Sequence, residues 1–265
     1  MFEFKPEHKF TVLKLLYLPL RARGEALRML LRHTKIPHVM ETVPFAAWPA
    51  LKPNMPGNQL PALQLGNESG RLLPNSMDIA LHLAKISGPP LMPRDEADAA
   101  CALSCWRELD RTSLPYIVAG HAPWSEATPW DARAGAVNPL LNFLPQEEAL
   151  PLIPAYLEGS VPWLKDLRAR VQRRAEGPFM GGVQPHHGEF ATFAICDNIC
   201  TLGGPTALDA GGPELATWFA SMRALPAVAR QLKSRPQAGT GAVGKPGSLI
   251  HEHADPSAVV ASQRK

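Results

Sequence analysis

A phenol and two guanidinium groups stand close together at Tyr17, Arg21 and Arg23. They follow a predicted apolar strand, residues 10–17, and overlap the start of an amphipathic helix predicted for residues 21–34. A turn from strand to helix lies at the end of a sheet, where α/β domains commonly bind their ligands. Guanidinium groups and the free N–H groups of a helix start both favour anions. The turn therefore predicts a site for a small anionic ligand.

Tyr17 could stabilise a group of the ligand that carries negative charge, such as a thiolate. A free thiol has a pKa of about 8.5, so it is mostly protonated at neutral pH, although only the thiolate is a good nucleophile. A phenolic O–H directed at the sulfur would stabilise the anion and lower that pKa. The structural alternative is a half-buried strand tyrosine whose O–H donates to a backbone carbonyl. Arg21 is assigned to structure, as a partner of Glu25 one turn along the helix.

Four further segments match one known family in the same order. They are Trp48-Pro-Ala-Leu-Lys52, Asn58-Gln-Leu-Pro61, Asn75-Ser76 followed by Ile79, and Leu225 to Pro236. Together with the Tyr17 turn, they resemble the cytosolic glutathione transferases of the tyrosine type, nearest to the pi and sigma classes. Each segment alone is weak evidence, but the set covers residues 10–236 and is specific.

The resemblance implies that Tyr17 stabilises the thiolate of bound glutathione, the co-substrate. It also implies that Arg23 and Lys52 meet the glycyl carboxylate, and that Trp48 supplies an indole N–H or a wall beside it. The alternative for Lys52 is an ordinary surface salt bridge.

The same resemblance places the rest of glutathione at two backbone features. Ser76 and Asn75, at a helix N-terminus, would take the γ-glutamyl carboxylate through the hydroxyl, the backbone N–H groups and the helix dipole. Their alternative role is a plain helix cap. Gln59 and Leu60 belong to the motif before a cis Pro61, and the Leu60 backbone would pair with the cysteinyl amide.

Several positions depart from the family pattern, among them Asn75, which is shorter than the usual Gln or Glu. Many relatives carry an Asp in the first helix of the second domain, which reaches across the dimer to the ammonium of the ligand. Counted from Glu96, that position falls on Cys101, with Asp98 one turn earlier. Ala22 and Gly24 stand in the reverse of the usual order, which predicts a shifted or loosened start of the first helix.

The four cysteines form two pairs with helical spacing, Cys101/Cys105 and Cys196/Cys200. Because residues at i and i+4 share a helix face, the two pairs could build a four-thiolate zinc site. The pattern lacks the short Cys-x-x-Cys unit, and small buried cysteines are common in packed cores, which favours free thiols without metal. Such usage is typical of a reduced, intracellular protein, and we expect a cytoplasmic location.

Composition and periodicity predict two domains. A chain of 265 residues with 45% hydrophobic and 19% charged residues is expected to be globular. Residues 8–88 predict an α/β thioredoxin-like domain, and residues 95–236 predict an all-α helical bundle, which together form the glutathione transferase architecture. Residues 89–94 are the expected linker, and residues 237–265, rich in Gly, Pro, Ala and Ser, are expected to be a flexible tail.

The predicted elements follow this division. A second strand at 36–43 and a hairpin of 61–65 with 71–73 complete the sheet, and a helix capped by Asn75 or Ser76 follows. Helices of the second domain are predicted at 96–111, 156–174, 190–202, 213–224 and 227–234. Before the apolar helix at 190–202, Glu189 is the expected cap acid and His186 replaces the usual hydroxyl residue.

Charge and hydropathy exclude several classes of function. The net charge is +3, and residues 1–88 hold 11 Lys/Arg against 6 Asp/Glu. This excess fits a small anion better than nucleic acid, because no run of basic residues or ladder of aromatic residues accompanies it. No apolar run approaches the roughly 18–20 residues of a membrane span, and no secretory signal is evident.

The sequence therefore predicts a glutathione transferase, expected to be a homodimer, whose thiolate attacks a hydrophobic electrophile or a peroxide. The second substrate would lie near Tyr116, and Trp124 and Trp130 could form a lid. Two alternatives remain open. One is a non-catalytic structural or scaffolding relative, and the other is an isomerase of the sigma type that uses glutathione and returns it.

Overall fold

The computed structural model describes residues 12–18, 21–44, 46–66, 70–113, 153–173 and 176–235. Predictions for residues 8–11, for Tyr116, Trp124 and Trp130, and for the segment 237–265 lie outside these ranges.

The first part of the chain forms a four-stranded mixed sheet with helices. Its elements are β1 (Leu13–Tyr17), α1 (Ala22–Thr34), β2 (His38–Thr42), the short α2 (Trp48–Leu51), β3 (Ala62–Gln64), β4 (Leu72–Pro74) and α3 (Ser76–Ser87). The strand order is β2-β1-β3-β4. β1 pairs in parallel with β2 and antiparallel with β3, so it is central, which explains its nearly continuous apolar sequence.

The rest of the described chain is helical. Its helices are α4 (Glu96–Ser113), α5 (Ile153–Gln172), α6 (Gly188–Gly203), α7 (Gly212–Ala224) and α8 (Pro226–Lys233). Their bounds differ by at most three residues from the five helices that the sequence predicts. Together with the sheet they confirm the predicted fold class, a thioredoxin-like part followed by a helical part. No helix in the described ranges is both long and apolar enough to cross a membrane.

The central helix, α6, begins at a buried carboxylate. Glu189 accepts hydrogen bonds from the backbone N–H groups of Met180 (2.8 Å), Gly181 (2.8 Å) and His186 (3.0 Å), and from the indole of Trp218 (2.7 Å). Nδ1 of His186 accepts the N–H of Gly188 at 3.1 Å. The imidazole thus replaces the hydroxyl of a usual capping box, and the predicted cap is confirmed.

A buried ionic cluster fixes α1 against α6. Arg235, just after α8, donates to Glu25 of α1 and to Asp197 of α6, both at 2.6 Å. Burial raises the pKa of Glu25, but the cations around it, above all Arg235, outweigh that effect and lower it. Because Glu25 lies in the first turn of α1, the cluster positions the turn that carries Arg21 and Arg23.

Candidate functional site

Tyr17 ends β1, and its ring is in contact with the first turn of α1. A Cβ atom added at Gly24 would lie 2.5 Å from Cε1 of the Tyr17 ring, and closer still to Cδ1. Glycine therefore lets the helix backbone touch the ring. Arg28 covers the ring from another side, with its guanidinium carbon 5.5 Å from the ring centroid. The phenol is thus held by the helix backbone and by a cation.

The Tyr17 hydroxyl is buried, and its O–H donates to no residue that the structure describes, while the Arg23 guanidinium and the Gly24 N–H lie beside its oxygen. The side chain is only 2% exposed. Burial raises the pKa of Tyr17, and the nearby Arg23 and Arg28 cations offset only part of that effect. The phenol is therefore protonated at neutral pH, and its O–H remains a donor for a ligand atom.

Arg23 joins three parts of the predicted site. Its Nη2 donates to the carbonyl of Leu60 at 3.1 Å, and its Nη1 lies 3.7 Å from a carboxylate oxygen of Asp110. Ser76 donates to the same Asp110 oxygen at 3.0 Å. The Nε atom of Arg23 is buried without a hydrogen bond inside the described ranges. The structure therefore brings Arg23, Leu60 and Ser76 together, as the sequence predicts for one binding site.

Asp110, near the end of α4, is the site residue that the sequence reasoning missed. Burial raises the pKa of Asp110, while Arg23 and the Ser76 hydroxyl favour its carboxylate. Counted from Glu96, the family pattern predicts Cys101 or Asp98 instead. Asp98 lies 12 residues earlier, about 18 Å along the helix, and pairs with Arg94 at 2.6 Å.

The connection between α3 and α4 accounts for the position of Asp110. α3 and α4 are joined by a short connection, so they pack antiparallel, and the start of α3 lies opposite the end of α4 rather than its start. An acid that serves Ser76 must therefore come from the last turns of α4.

The backbone features of the site match the predictions. Asn75 caps α3 by accepting the N–H of Met77 at 2.9 Å, which confirms its predicted capping role. The peptide bond between Leu60 and Pro61 is cis, as predicted. Gln59 is half-buried beside it.

The predicted glycyl-carboxylate residues lie at α2. Trp48 begins α2, is half-buried and packs against the core. Lys52 follows in a 3₁₀ turn and is exposed, with no ion pair to another described residue. The lysine ammonium is therefore available to an anion.

Arg21 faces away from these residues. It is buried, and its Nη1 donates to the hydroxyl of Thr201 on α6 at 3.3 Å. Burial, with repulsion from Arg235, lowers the pKa of Arg21 to about 10, while Asp197 and Glu25 favour its charge. Its structural assignment agrees with this position.

The cysteines are free thiols, two of them buried and two half-buried. Across the described ranges, no group of three or more His, Cys, Asp or Glu residues is arranged to hold a metal ion.

Comparison with solved structures identifies the architecture. The monomeric Na-GST-3, a glutathione S-transferase of the hookworm Necator americanus, superposes with a TM-score of 0.63, covering 86% of this chain and 98% of that one at 18% identity. A rat hPGDS complexed with a quinoline gives a TM-score of 0.62 over 85% and 98% of the two chains, at 22% identity. The chain has the fold of the glutathione transferases.

The sequence relatives of the chain match it over different lengths. The human hematopoietic prostaglandin D synthase is 26% identical over 237 residues, 84% of this chain and 96% of its own. A Schistosoma mansoni glutathione S-transferase class-mu 28 kDa isozyme is 33% identical over 75 residues, 28% of this chain. That match spans only about a third of the relative's length. No family model matches the chain.

Proposed function

We propose that this protein is a glutathione transferase in which Tyr17 stabilises the thiolate of glutathione. The observation that carries the proposal is the buried Tyr17 hydroxyl, whose O–H has no acceptor among the described residues and which lies beside the cations of Arg23 and Arg28. When bound, glutathione supplies a sulfur nucleophile that attacks a hydrophobic electrophile or reduces an organic peroxide. The chain supplies the hydrogen bond and the positive charge that favour the anionic form of that sulfur.

The electrostatics at Tyr17 suit this role. Because burial keeps the phenol protonated, it donates its proton in a hydrogen bond without losing it. Arg28 over the ring and Arg23 beside it stabilise a negative charge placed at the hydroxyl. The buried O–H has no acceptor among the described residues. A thiolate sulfur at that position would accept a charge-assisted hydrogen bond from it, which is about twice as strong as a neutral one.

The remaining residues would orient the peptide. Lys52 and the unpaired Nε of Arg23 would meet the glycyl carboxylate, with Trp48 beside it, and the Leu60 backbone would pair with the cysteinyl amide. The N-terminus of α3, with Asn75 and Ser76, would take the γ-glutamyl carboxylate.

Asp110 would receive the γ-glutamyl ammonium. It lies within hydrogen-bonding distance of Ser76 and comes from the same chain. The acid that relatives bring from a partner subunit would thus be provided here within one subunit.

A second candidate is a glutathione-dependent isomerase, which uses the thiolate and returns it. The observation that favours it is the length of the match to the human hematopoietic prostaglandin D synthase, which extends over 84% of the chain. Both candidates need the same Tyr17 chemistry and differ in whether glutathione is consumed.

We further propose a cytoplasmic homodimer with a role in detoxification, and light scattering of the purified chain tests the dimer.

Turnover assays test the proposal. The protein is mixed with glutathione and a panel of aryl halides, enals, organic peroxides and endoperoxides, and both thiol loss and products are measured. We expect thiol loss with at least one electrophile or peroxide, and a decrease of about 10- to 1,000-fold in Tyr17→Phe. Tyr156→Phe, which alters another fully buried tyrosine on α5, is the matched control and should keep its activity.

Each outcome separates the candidates. An isomerised product without thiol loss would favour the isomerase. Binding of glutathione without turnover of any substrate in the panel would favour the non-catalytic alternative. Equal activity in wild type and Tyr17→Phe would contradict the proposed role of Tyr17.

A further inference from the structure

The ends of α1 and α8 together form a positively charged surface. Its cations are Arg32, Lys35, Arg230 and Lys233, and we call these four residues the basic face. Arg32 is half-buried, and the other three are exposed. None of the four forms an ion pair with another described residue. Their combined charge exceeds the net charge of the whole chain, which is +3, so the remainder of the chain is net negative.

Arg32 joins the two helix ends into one surface. Its Nε donates to Oε1 of Gln231 at 2.9 Å, and its Nη2 donates to the hydroxyl of Ser234 at 3.3 Å. Both acceptors are neutral, so they orient the guanidinium without compensating its charge. Arg230 and Lys233 each precede one of these acceptors in the chain. The cations of α8 therefore lie within about one helical turn of the residues that Arg32 contacts.

The buried carboxylates near α8 do not neutralise the basic face. Glu25 and Asp197 are each 3% exposed, and each accepts a hydrogen bond from Arg235 at 2.6 Å. Burial lowers the pKa of Arg32, and repulsion from Arg230 lowers it further, which together outweigh the attraction of Glu25. The two carboxylates are therefore committed to Arg235, and the surface outside them stays positive.

The helix ends account for only part of this positive charge. Arg32 lies in the last turn of α1, and Arg230 and Lys233 lie in the last turn of α8, where cations stabilise a helix. The C-terminus of a helix carries a partial charge of about −0.5, so two ends amount to about one negative charge. About three of the four positive charges thus remain uncompensated and available to a partner.

We propose that the basic face binds the surface of a phospholipid bilayer that carries negative charge. Clusters of about four to eight Lys/Arg residues that include an amphipathic helix recognise anionic headgroups. Nucleic acid is disfavoured, because neither α1 nor α8 carries a Phe, Tyr or Trp on which a base could stack. The contact is peripheral, since no helix in the described part of the chain could span a membrane. A bilayer also accumulates hydrophobic electrophiles of the kind that the proposed transferase would use.

The first test is sedimentation of the full-length protein with lipid vesicles. One set contains phosphatidylcholine alone, and in the other about a third of the lipid is phosphatidylserine. Each Lys/Arg near an anionic surface changes the affinity about fivefold, so we expect the anionic vesicles to bind several hundredfold more tightly at low salt. Binding should be lost at about 0.5 M salt, because screening then acts within a few ångströms. Equal binding to both sets, or binding to neither, would overturn the proposal.

The second test separates the basic face from the net charge of the protein. The double variant Arg230→Gln/Lys233→Gln should bind the anionic vesicles about 25-fold more weakly than wild type. The matched control is Lys85→Gln/Arg107→Gln, which removes two exposed cations from α3 and α4. Its affinity should fall by less than about twofold, because charges farther from the lipid surface are screened. An equal loss in both double variants, or no loss in the first, would overturn the assignment to this face.

Two further measurements identify the partner and keep this proposal separate from the proposed transferase function. Binding of poly-glutamate without binding of the anionic vesicles would assign the basic face to an acidic protein and overturn the proposal. Tyr17→Phe should bind the vesicles as tightly as wild type, since the basic face does not depend on the phenol. A loss of turnover and a loss of vesicle binding are therefore distinct results.

Discussion

Gly24→Ala is predicted to displace the Tyr17 ring and to damage function far more than stability. The new Cβ would lie 2.5 Å from Cε1 of the ring, whereas ordinary contact begins at 3.4 Å. The ring must therefore move away from the helix by at least 0.9 Å at that atom. Because the phenol is enclosed by α1 and by Arg28, the hydroxyl moves with the ring.

The two effects of Gly24→Ala on stability partly cancel. Overpacking costs about 1–3 kcal/mol, and replacing a helical glycine with alanine returns about 1 kcal/mol. The expected net loss in the free energy of unfolding is thus about 0–2 kcal/mol. A displacement near 1 Å at a catalytic group can cost about 100-fold in rate, so we expect kcat/KM to fall about 10- to 100-fold.

Ala22→Gly is the matched control in the same turn. Ala22 has φ of +33°, a conformation that costs a non-glycine residue about 1–2 kcal/mol. Glycine removes this strain but adds about 0.4–1 kcal/mol of chain entropy to the unfolded state. Ala22→Gly should have the same free energy of unfolding as wild type or a slightly larger one, and its activity should be unchanged. Urea denaturation and turnover assays on both variants test this, and a Gly24→Ala enzyme with wild-type activity would refute the packing argument.

Two further predictions concern the contacts that hold the site in place. Arg235→Gln removes the nearest cation of the buried Glu25 and Asp197 carboxylates and leaves Arg28 and Arg223 at 3.7 and 3.8 Å, so the free energy of unfolding should fall by about 3 kcal/mol in urea denaturation at neutral pH. The pKa of Glu25 is lowered from 4.5 in the folded protein, so the ionised carboxylate stabilises the fold above pH 4.5 and this contribution is lost as the pH falls further. The difference in free energy of unfolding between wild type and Arg235→Gln should therefore become smaller below pH 4.5. Glu189→Gln places an amide NH₂, which is a donor, against the backbone N–H donors or the Trp218 indole, so at least one buried donor loses its acceptor. Thermal unfolding should show that the free energy of unfolding falls by about 3 kcal/mol.

Exposed residues provide the controls for these two changes. Arg230→Gln on α8 and Glu158→Gln on α5 remove the same charges from the surface, where single changes usually alter stability by less than about 0.5 kcal/mol. If Arg235→Gln were no more destabilising than Arg230→Gln, the ionic cluster would not hold α1 in place. A Glu189→Gln protein as stable as Glu158→Gln would contradict the capping role.

The elements of the fold could be predicted from local sequence signals. The apolar run before Tyr17 indicates a central strand, and the turn of Gly and Asn residues at 66–70 indicates the β3–β4 hairpin. Asn75 was recognisable as a cap because Asx residues favour that position. These features depend on residues close together in the chain, which is why the sequence alone was sufficient.

The contacts that complete the site depend on residues far apart. Arg235 and Glu25 are 210 residues apart, and no local pattern links them. Sequence spacing along α4 does not predict Asp110, because the contact between Ser76 and Asp110 depends on how α4 packs against α3. Such pairings follow from tertiary packing, which propensity and periodicity do not encode.

The central claim is that Tyr17 stabilises a thiolate, and the ultraviolet absorbance of bound glutathione against pH tests it most directly. Binding is first established by calorimetry for wild type, Tyr17→Phe and Tyr156→Phe. The account predicts a thiolate that titrates well below free glutathione in wild type and Tyr156→Phe, and near the free value in Tyr17→Phe. Bound glutathione that titrates at the free value in the wild-type protein would contradict it.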